Sequence, residues 1–334
     1  PYEAKLTPDD IYHLSKLAIM EYLTSGITAN ADMYLTPDTM IEASRDCGYR
    51  TTVIGAVNNF TQSVELLDEW YKKYHKKENL INFELGFHAE YTTKKEILEG
   101  IADLAEKYKA PVYTHNSESE SEVAQCIERT KVTPTVYMDR LGIFNYGGGF
   151  YHCVHMTQND LDIVKEHNIS VITNPASNLK LASGIAPIDH MLKEGINLAI
   201  GTDGPASNNC LDMFREMFLV TALAKYREND ASAVDALEVL KMATIGGAKA
   251  MNLTDCDVLA EGKEADIIMI DLNQPNMQPI HNIQKNLVYS GSKQNVKLTM
   301  VAGKILYENG EFFIGTDAYK IYEKANDIAE RIVK

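Results

Sequence analysis

Four side chains suited to metal-assisted hydrolysis follow apolar stretches of this 334-residue sequence. His115 ends the stretch at residues 111–115, and Glu118 comes three residues later. His152 lies in a second such stretch, and Asp203 comes just after a third. Zinc in hydrolases is bound by imidazoles and carboxylates, and a further carboxylate can move protons. The spacing predicts parallel strands with these residues at their carboxyl ends, as in a metal-dependent hydrolase built on a β/α barrel.

His115 and Glu118 are the first candidate pair. A neutral imidazole at position 115 could bind the metal, and Glu118 could take a proton from water and pass it to a leaving nitrogen. A structural interpretation stays open for both residues. His115 could be a hydrogen-bonded histidine at a strand end, and Glu118 an acid favoured by the dipole at a helix N-terminus.

Asp203 follows the apolar run at residues 198–200, and glycines at positions 201 and 204 let the backbone turn around it. A carboxylate in this place must be paired, hydrogen-bonded or bound to a metal, because burying an isolated charge is costly. An N-cap of a following turn is the structural alternative. We expect Asp203, His115 and His152 to meet around a common cation at the open end of the barrel.

The sequence His152-Cys153-Val154-His155 offers two histidines for one pocket. Residues three apart on a strand face opposite sides, so we expect His152 in the pocket, His155 capping the strand and Cys153 in the core. His88 ends another predicted strand and could contact substrate, or it could be a rim histidine without a ligand. Residues 174–178 are interpreted as a loop at the barrel mouth whose backbone shape matters more than its side chains.

Strand-like and helical stretches alternate along most of the chain. Thr7, Pro8 and Asp10 form a capping box that begins the first helix. Seven strands are predicted near residues 27, 51, 82, 112, 151, 170 and 198. The alternation favours an α/β fold, a (β/α)8 barrel of the TIM type with one strand unaccounted for. A doubly wound sheet is the alternative, disfavoured because no glycine-rich phosphate loop follows a strand.

After residue 251 the alternation of strands and helices gives way to short strands separated by turn residues. Short strands near residues 267–271, 296–301 and 304–307 predict a small β unit, part of a β-sandwich, and residues 317–333 predict a closing amphipathic helix. We therefore expect three regions: a hydrolase barrel at residues 1–255, the β-sandwich portion at 256–315 and a C-terminal helix at 316–334.

Composition narrows the classes of partner. The chain has 32 Lys and Arg against 47 Asp and Glu, a net charge of −15, which disfavours nucleic acid. Five cysteines without a C-x-x-C pair argue against a disulfide framework and a structural zinc knot. No apolar run reaches transmembrane length and no signal peptide is evident. We expect a cytoplasmic protein that binds a small molecule, with no membrane partner and with a homo-oligomer left open.

Several motifs together resemble the amidohydrolase superfamily, in particular the branch of S-adenosylhomocysteine and 5′-methylthioadenosine deaminases, near cytosine and guanine deaminases and triazine hydrolases. The motifs are Gly201-Thr202-Asp203-Gly204, Ser207-Asn208-Asn209, Leu211-Asp212-Met213, Asn174-Pro175-Ala176-Ser177-Asn178, Leu181-Ala182-Ser183-Gly184, His152-Cys153-Val154-His155 and Met242-Ala243-Thr244. The resemblance covers nearly the whole chain.

The resemblance implies a (β/α)8 barrel with a β-sandwich and one divalent metal ion, Zn²⁺ or another such as Fe²⁺. His115 and Asp203 match metal ligands of the family. Glu118 matches the carboxylate that shuttles protons and contacts substrate. His152 matches the histidine that polarises the attacked centre or orients the water, and His88 matches a substrate-contacting histidine. The catalytic residues implied are therefore Glu118, His152 and Asp203.

Two features depart from the family pattern. No His-x-His pair, which supplies two further ligands in the family, occurs in the sequence. We expect the chain to lack an N-terminal segment, with two histidine ligands upstream of residue 1. Residues 57–62 contain no arginine, although adenosylhomocysteine-type members often have arginines there. A neutral substrate is therefore favoured.

The expected function is hydrolytic deamination of an adenine-type nucleoside, such as 5′-methylthioadenosine, S-adenosylhomocysteine or adenosine, with release of ammonia. Two alternatives stay open. One is another amidohydrolase activity, on guanine, cytosine or a triazine C–N or C–Cl bond. The other is a metal-free barrel that binds a ligand without turnover.

Overall fold

The structure, a computed structural model, describes residues 2–334 and contains two β-sheets. The larger sheet is curled and has seven strands in sequential order, all neighbours being parallel. Its strands are β1 Ala29–Met33, β2 Arg50–Ile54, β3 Ile81–Ala89, β4 Val112–Asn116, β5 Gly148–His152, β6 Ile169–Thr173 and β7 Leu198–Ile200. The predicted α/β barrel-type fold with seven parallel strands is confirmed.

Helices connect these strands and continue beyond them. They are α1 Pro8–Thr24, α2 Pro37–Cys47, α3 Val64–Tyr74, α4 Lys95–Tyr108, α5 Glu120–Thr130, α6 Pro134–Arg140, α7 Gln158–Glu166, α8 Pro175–Lys180, α9 Ile188–Lys193, α10 Pro205–Asn208, α11 Met213–Glu228, α12 Ala236–Lys241, α13 Gly247–Ala250, α14 Ile283–Tyr289 and α15 Ala318–Val333. A π turn at Met242–Gly246 joins α12 to α13. The predicted capping box of α1 is present, with Thr7 accepting a hydrogen bond from the amide of Asp10.

Alternate residues of each strand face two different environments. On β3, Phe83, Leu85 and Phe87 are fully buried in the main core, which the strands share with the surrounding helices. Tyr113 and Tyr151 belong to a separate cluster on the other face of the sheet, inside the curl. Period-two alternation therefore gives the strands an apolar outer face and a more polar inner face, from which the site is built.

The smaller sheet is antiparallel, with strand order β11-β10-β9-β8. Its strands are β8 Ile267–Ile270, β9 Val296–Val301, β10 Lys304–Glu308 and β11 Glu311–Phe312. Its link to the larger sheet includes a buried ion pair, in which Arg50 Nε lies 2.7 Å from Asp266 Oδ2 and Arg50 Nη2 lies 2.9 Å from Oδ1. The small β unit predicted after residue 251 is thus confirmed, while the boundaries between the three regions stay a prediction.

Several elements differ from the prediction. Strand β5 is Gly148–His152, earlier than the predicted residues 151–155. A Cβ at Gly148 would lie 1.8 Å from the carbonyl oxygen of Val112, so only glycine lets β5 begin this close to β4. Helices α6, α10 and α14 and strand β11 lie where no element was predicted, and α8 occupies the segment interpreted as a loop. None of the helices within residues 2–334 is long and apolar enough to cross a membrane.

Candidate active site

His115 is placed at the end of β4 as a neutral imidazole with one free nitrogen. Its Nδ1 lies 2.7 Å from the carbonyl oxygen of His88, and because a carbonyl only accepts, Nδ1 donates the proton and Nε2 keeps its lone pair. Burial, followed by the neighbouring rings of His152 and His88, lowers the pKa of His115, while the charge of Asp203 acts in the opposite direction. A backbone-oriented neutral imidazole is what a metal ligand requires.

His152 is the last residue of β5 and is 2 % exposed. Its ring centroid lies 5.4 Å from that of His115. Its Nδ1 lies 2.7 Å from Oδ1 of Asn178, so Nδ1 donates to the amide oxygen. Its Nε2 lies 3.7 Å from Oε2 of Glu118, which is too long for a hydrogen bond but keeps the imidazole and the carboxylate next to each other.

Glu118 lies between β4 and α5, and its side chain is 21 % exposed. Its Oε1 accepts a hydrogen bond from Ser183 Oγ at 3.2 Å. Its backbone is fixed by Glu122, whose Oε2 accepts from the Glu118 amide at 2.8 Å and whose Oε1 accepts from the Ser117 amide at 3.0 Å. Glu122 thus fixes the backbone at Glu118, while the Glu118 carboxylate stays partly exposed.

Asp203 follows β7 with a φ of 58°, in the left-handed region. Its Oδ2 accepts a hydrogen bond from Ser177 Oγ at 2.5 Å, and its Oδ1 accepts from the Gly204 amide at 2.6 Å. Burial acts to raise the pKa of Asp203, but the Ser177 bond, the nearby His152 and the Gly204 amide outweigh it and the net shift is downward. Asp203 therefore stays an ionised carboxylate, and the N-cap interpretation is not needed to explain it.

His88 lies close to the same cluster. Its ring centroid is 5.0 Å from that of His115, and its Nδ1 lies 2.9 Å from Thr92 Oγ1. Burial lowers the pKa of His88, although the charge of Glu118 opposes that effect. The neutral ring is thus oriented by Thr92. Contacts and charge interactions link all five predicted site residues, His88, His115, Glu118, His152 and Asp203.

Three polar residues of the site were not predicted. In α8, Ser177 donates a hydrogen bond to Asp203, and Asn178 accepts one from His152. Ser183 donates a hydrogen bond to Glu118. Residues 174–178 were interpreted as a mouth loop whose backbone shape matters more than its side chains, whereas residues 175–180 form helix α8 and two of its side chains bond site residues. A signal was present, because Asn174 followed by proline at the first helical position is typical of a helix start.

The other histidine of the pair, His155, lies beyond the end of β5. Its Nε2 is 2.8 Å from the carbonyl oxygen of Ser183, and it does not share the pocket of His152. Strand alternation does not govern this separation, because His152 and Cys153 have φ values of 70° and 50° and have left the extended conformation. Cys153 is buried in the main core, as predicted.

The candidate metal ligands have the chemistry that a divalent metal ion prefers, but they are few. His115 offers a free Nε2, and Asp203 offers an ionised carboxylate, which are donors that zinc accepts. Residues 2–334 contain no group of three or more His, Cys, Asp and Glu side chains placed to hold a metal ion. His115, His152 and Asp203 do not form a metal site by themselves, since His152 Nε2 faces Glu118. That His115 and Asp203 are two of the ligands stays a prediction.

Comparison with known proteins identifies the class. A model of the amidohydrolase family matches residues 2–306. The chain therefore belongs to the amidohydrolase family.

Two of the similar proteins are named deaminases. A protein of Caldanaerobacter subterraneus subsp. tengcongensis named 5-methylthioadenosine/S-adenosylhomocysteine deaminase is 37% identical over 342 residues, which cover 100% of this chain and 79% of the relative. A protein of Methanopyrus kandleri named 5′-deoxyadenosine deaminase is 34% identical, covering 99% of this chain and 78% of the relative.

Solved structures agree with the fold. An adenosine deaminase from Xanthomonas campestris with bound zinc superposes with a TM-score of 0.94 at 32% identity, covering 99% of this chain and 77% of that one. An atrazine chlorohydrolase from Arthrobacter aurescens complexed with zinc superposes with a TM-score of 0.88 at 24% identity, covering 98% of this chain and 78% of that one. The second likeness concerns the fold alone.

Proposed function

We propose that this protein is a hydrolytic deaminase that releases ammonia from the adenine ring of a nucleoside. The observation that carries the proposal is that Glu118 and His152 face each other at 3.7 Å, with the rings of His115 and His152 stacked and Asp203 near His152. The names of the relatives, which are 5-methylthioadenosine/S-adenosylhomocysteine deaminase and 5′-deoxyadenosine deaminase, support the same reaction class.

In the reaction, water adds to the amino-bearing carbon of the ring, and the amino group leaves as ammonia after it receives a proton. Glu118 is suited to take the proton from water and to deliver it to the leaving nitrogen, because its carboxylate is accessible and anchored by Ser183. A divalent metal bound through His115 and Asp203, zinc or iron, would lower the pKa of the water and polarise the ring.

His152 and Asp203 have supporting roles in this proposal. His152 donates its Nδ1 proton to Asn178, so its Nε2 faces Glu118. There Nε2 can orient water or exchange a proton with Glu118. The ionised Asp203 can accept a proton during the addition and stabilise positive charge nearby. His88, whose ring is oriented by Thr92, would hydrogen-bond the substrate at the rim of the cluster.

We further propose that the substrate has a neutral group at its 5′ position. The loop at residues 57–62 contains neither Arg nor Lys, and it lies against β3 next to the site, since the Val57 carbonyl accepts from the His88 amide at 2.9 Å. Asn58 shapes a turn there, with its Oδ1 accepting from the Phe60 amide at 2.8 Å. Phe60 is 84 % exposed. An uncharged loop with an exposed phenyl ring favours an apolar substituent over a zwitterionic one.

The test is ammonia release by the full-length, metal-loaded protein from 5′-methylthioadenosine, 5′-deoxyadenosine, S-adenosylhomocysteine and adenosine, with guanine and cytosine as comparisons. Glu118→Gln should reduce kcat by about 10²–10⁴-fold, the usual contribution of a general acid–base group. Glu128→Gln, at an exposed position on α5, is the matched control and should change little. No ammonia from any of these compounds would refute the deaminase proposal, and a higher kcat/KM for S-adenosylhomocysteine than for 5′-methylthioadenosine would refute the neutral-substrate proposal.

A further inference from the structure

Helix α11 contributes a buried carboxylate to the region just behind the site. Glu216 is 0 % exposed, and its two carboxylate oxygens accept hydrogen bonds from two different segments. Oε2 accepts from the backbone amide of Ala176 at 3.0 Å, and Oε1 accepts from Nδ2 of Asn208 at 2.9 Å. Glu216 therefore ties the start of α8 to the end of α10.

Each of these segments leads directly to a site residue. Ala176 immediately precedes Ser177 and Asn178, which bond Asp203 and His152. Asn208 also donates through Nδ2 to the carbonyl oxygen of Thr202 at 2.6 Å, and Thr202 immediately precedes Asp203. Glu216 is thus connected to Asp203 in two ways. One runs through α8, which carries Ser177, and the other runs through Asn208, which bonds Thr202.

We infer that Glu216 is a positioning residue, whose carboxylate fixes the spacing between α8 and the turn at residues 202–208 and thereby orients Asp203 and His152. Its effect on turnover rests on the proposed function, whereas its effect on the two segments does not. Glu216 itself touches neither Asp203 nor His152 through a hydrogen bond in the structure, so it would act only through Ala176 and Asn208.

The chemistry of the two partners explains why a carboxylate is required at this position. Both partners are donors, so both oxygens of residue 216 must accept. Burial raises the pKa of Glu216 to about 7, and the hydrogen bonds from Ala176 and Asn208 oppose that rise. A charge placed in such surroundings is costly unless it is fully hydrogen-bonded. The two hydrogen bonds therefore stabilise the buried carboxylate as well as joining the two segments.

Glutamine has the same shape but cannot make both bonds. Its amide nitrogen would face either the Ala176 amide or the Asn208 amide group, placing one donor against another. Asn208 cannot compensate by rotating its amide, because its Nδ2 also donates to Thr202. Its Oδ1 is buried without a hydrogen-bond partner and would then face the Thr202 carbonyl oxygen. Glu216→Gln should therefore free one of the two segments.

The experiment compares the full-length protein with Glu216→Gln and with the control Glu228→Gln, which removes an exposed charge from the end of the same helix. Hydrogen exchange measured by mass spectrometry should become at least about 10-fold faster at residues 174–180 or 202–209 in Glu216→Gln only. In the proposed deaminase assay, kcat should fall at least about 10-fold while KM changes by less than about 3-fold, since the reacting groups are displaced but the substrate rim is not.

A second variant keeps the inference testable if Glu216→Gln fails to fold. Asn208→Ala removes the bond from Asn208 to Glu216 together with the bond from Asn208 to the Thr202 carbonyl oxygen, and it leaves the carboxylate and its bond from Ala176 in place. It should speed exchange at residues 202–209 and produce the same split between kcat and KM. Ser177→Ala combined with Glu216→Gln should lose less activity than the product of the two single losses, because both changes act on Asp203.

Three results would overturn the inference: unchanged exchange in both segments, a lowered melting temperature with kcat unchanged, or full additivity of the two substitutions. Absence of deaminase activity in the wild-type protein would refute the proposed function instead, and the exchange comparison would still decide whether Glu216 holds the two segments together.

Discussion

Glu84 provides a test of the electrostatics inside the sheet. It lies on β3, is 1 % exposed, and has one oxygen satisfied by Asn82 Nδ2 at 2.9 Å. Its other oxygen is buried with no hydrogen-bond partner. Burial raises the pKa of Glu84 from its usual 4.5 to about 7, while the Asn82 bond and the charge of Lys76 act against the rise. Glu84→Gln replaces a carboxylate that resists ionisation with a neutral group of the same shape.

The direction of the pH effect on stability follows from the number of protons that Glu84 binds in the folded and unfolded states. Between pH 4.5 and about 7 the folded state binds more protons at Glu84 than the unfolded state, so stability falls as pH rises through this window. At roughly 1.4 kcal/mol for each of the 2.5 pH units, the penalty above pH 7 is at most about 3.5 kcal/mol. It is an upper limit, because relaxation of the surroundings and entry of water reduce the cost of a buried charge. We expect about 1–3 kcal/mol.

The assay is urea denaturation of both proteins at pH 5 and pH 8. Glu84→Gln should raise the free energy of unfolding by about 1–3 kcal/mol at pH 8 and change it little at pH 5, where the wild-type side chain is largely protonated. Titration of other groups cancels in the difference between the two proteins. Glu99→Gln, at an exposed position on α4, should show no such pH dependence. An equal effect of Glu84→Gln at both pH values would refute the reasoning.

Three further predictions concern the site and its support. Ser177→Ala removes a hydrogen bond to the charged carboxylate of Asp203, a bond worth about 1.5–3 kcal/mol, and should lower kcat/KM by about 10–100-fold with the exposed Ser121→Ala as control. Removal of divalent metal with a chelator should reduce ammonia release to background and added Zn²⁺ should restore it, whereas activity that survives complete chelation would contradict a metal-dependent mechanism. Arg50→Ala leaves Asp266 buried without its ion-pair partner and should lower the free energy of unfolding by about 3–5 kcal/mol in urea denaturation, so a change below about 1 kcal/mol would contradict the burial of this pair.

The sheet and the site residues at its edge could be predicted because both depend on local pattern. The buried parallel strands appear as short apolar runs, and polar residues that follow such runs, such as Asp203, stand out against them. Parallel pairing then brings the carboxyl ends of neighbouring strands to one edge. His115 and His152 came together for this reason, with their ring centroids 5.4 Å apart.

What could not be predicted depends on contacts between distant segments. Strand β5 begins at Gly148, which looks like a turn residue in the sequence and is in a strand only because β4 lies so close. Ser177 and Asn178 look like ordinary loop residues until α8 places them beside Asp203 and His152. Polar side chains on short helices give no periodic signal, so their partners are known only once the tertiary structure is known.

Backbone conformation adds a reason why α8 matters to the site. Ser117, His152 and Asp203 all have φ values between 50° and 70°, a region that costs a non-glycine residue of the order of 1 kcal/mol or more. Each of these residues lies where the chain leaves a parallel strand, and each is held there by hydrogen bonds to its side chain or its backbone amide. Two of the three bonds come from α8, which Glu216 anchors in turn. Because strained conformations persist only where neighbours enforce them, loosening α8 should disturb Asp203 and His152 together, whereas the backbone of Glu118, which Glu122 holds, should keep its position.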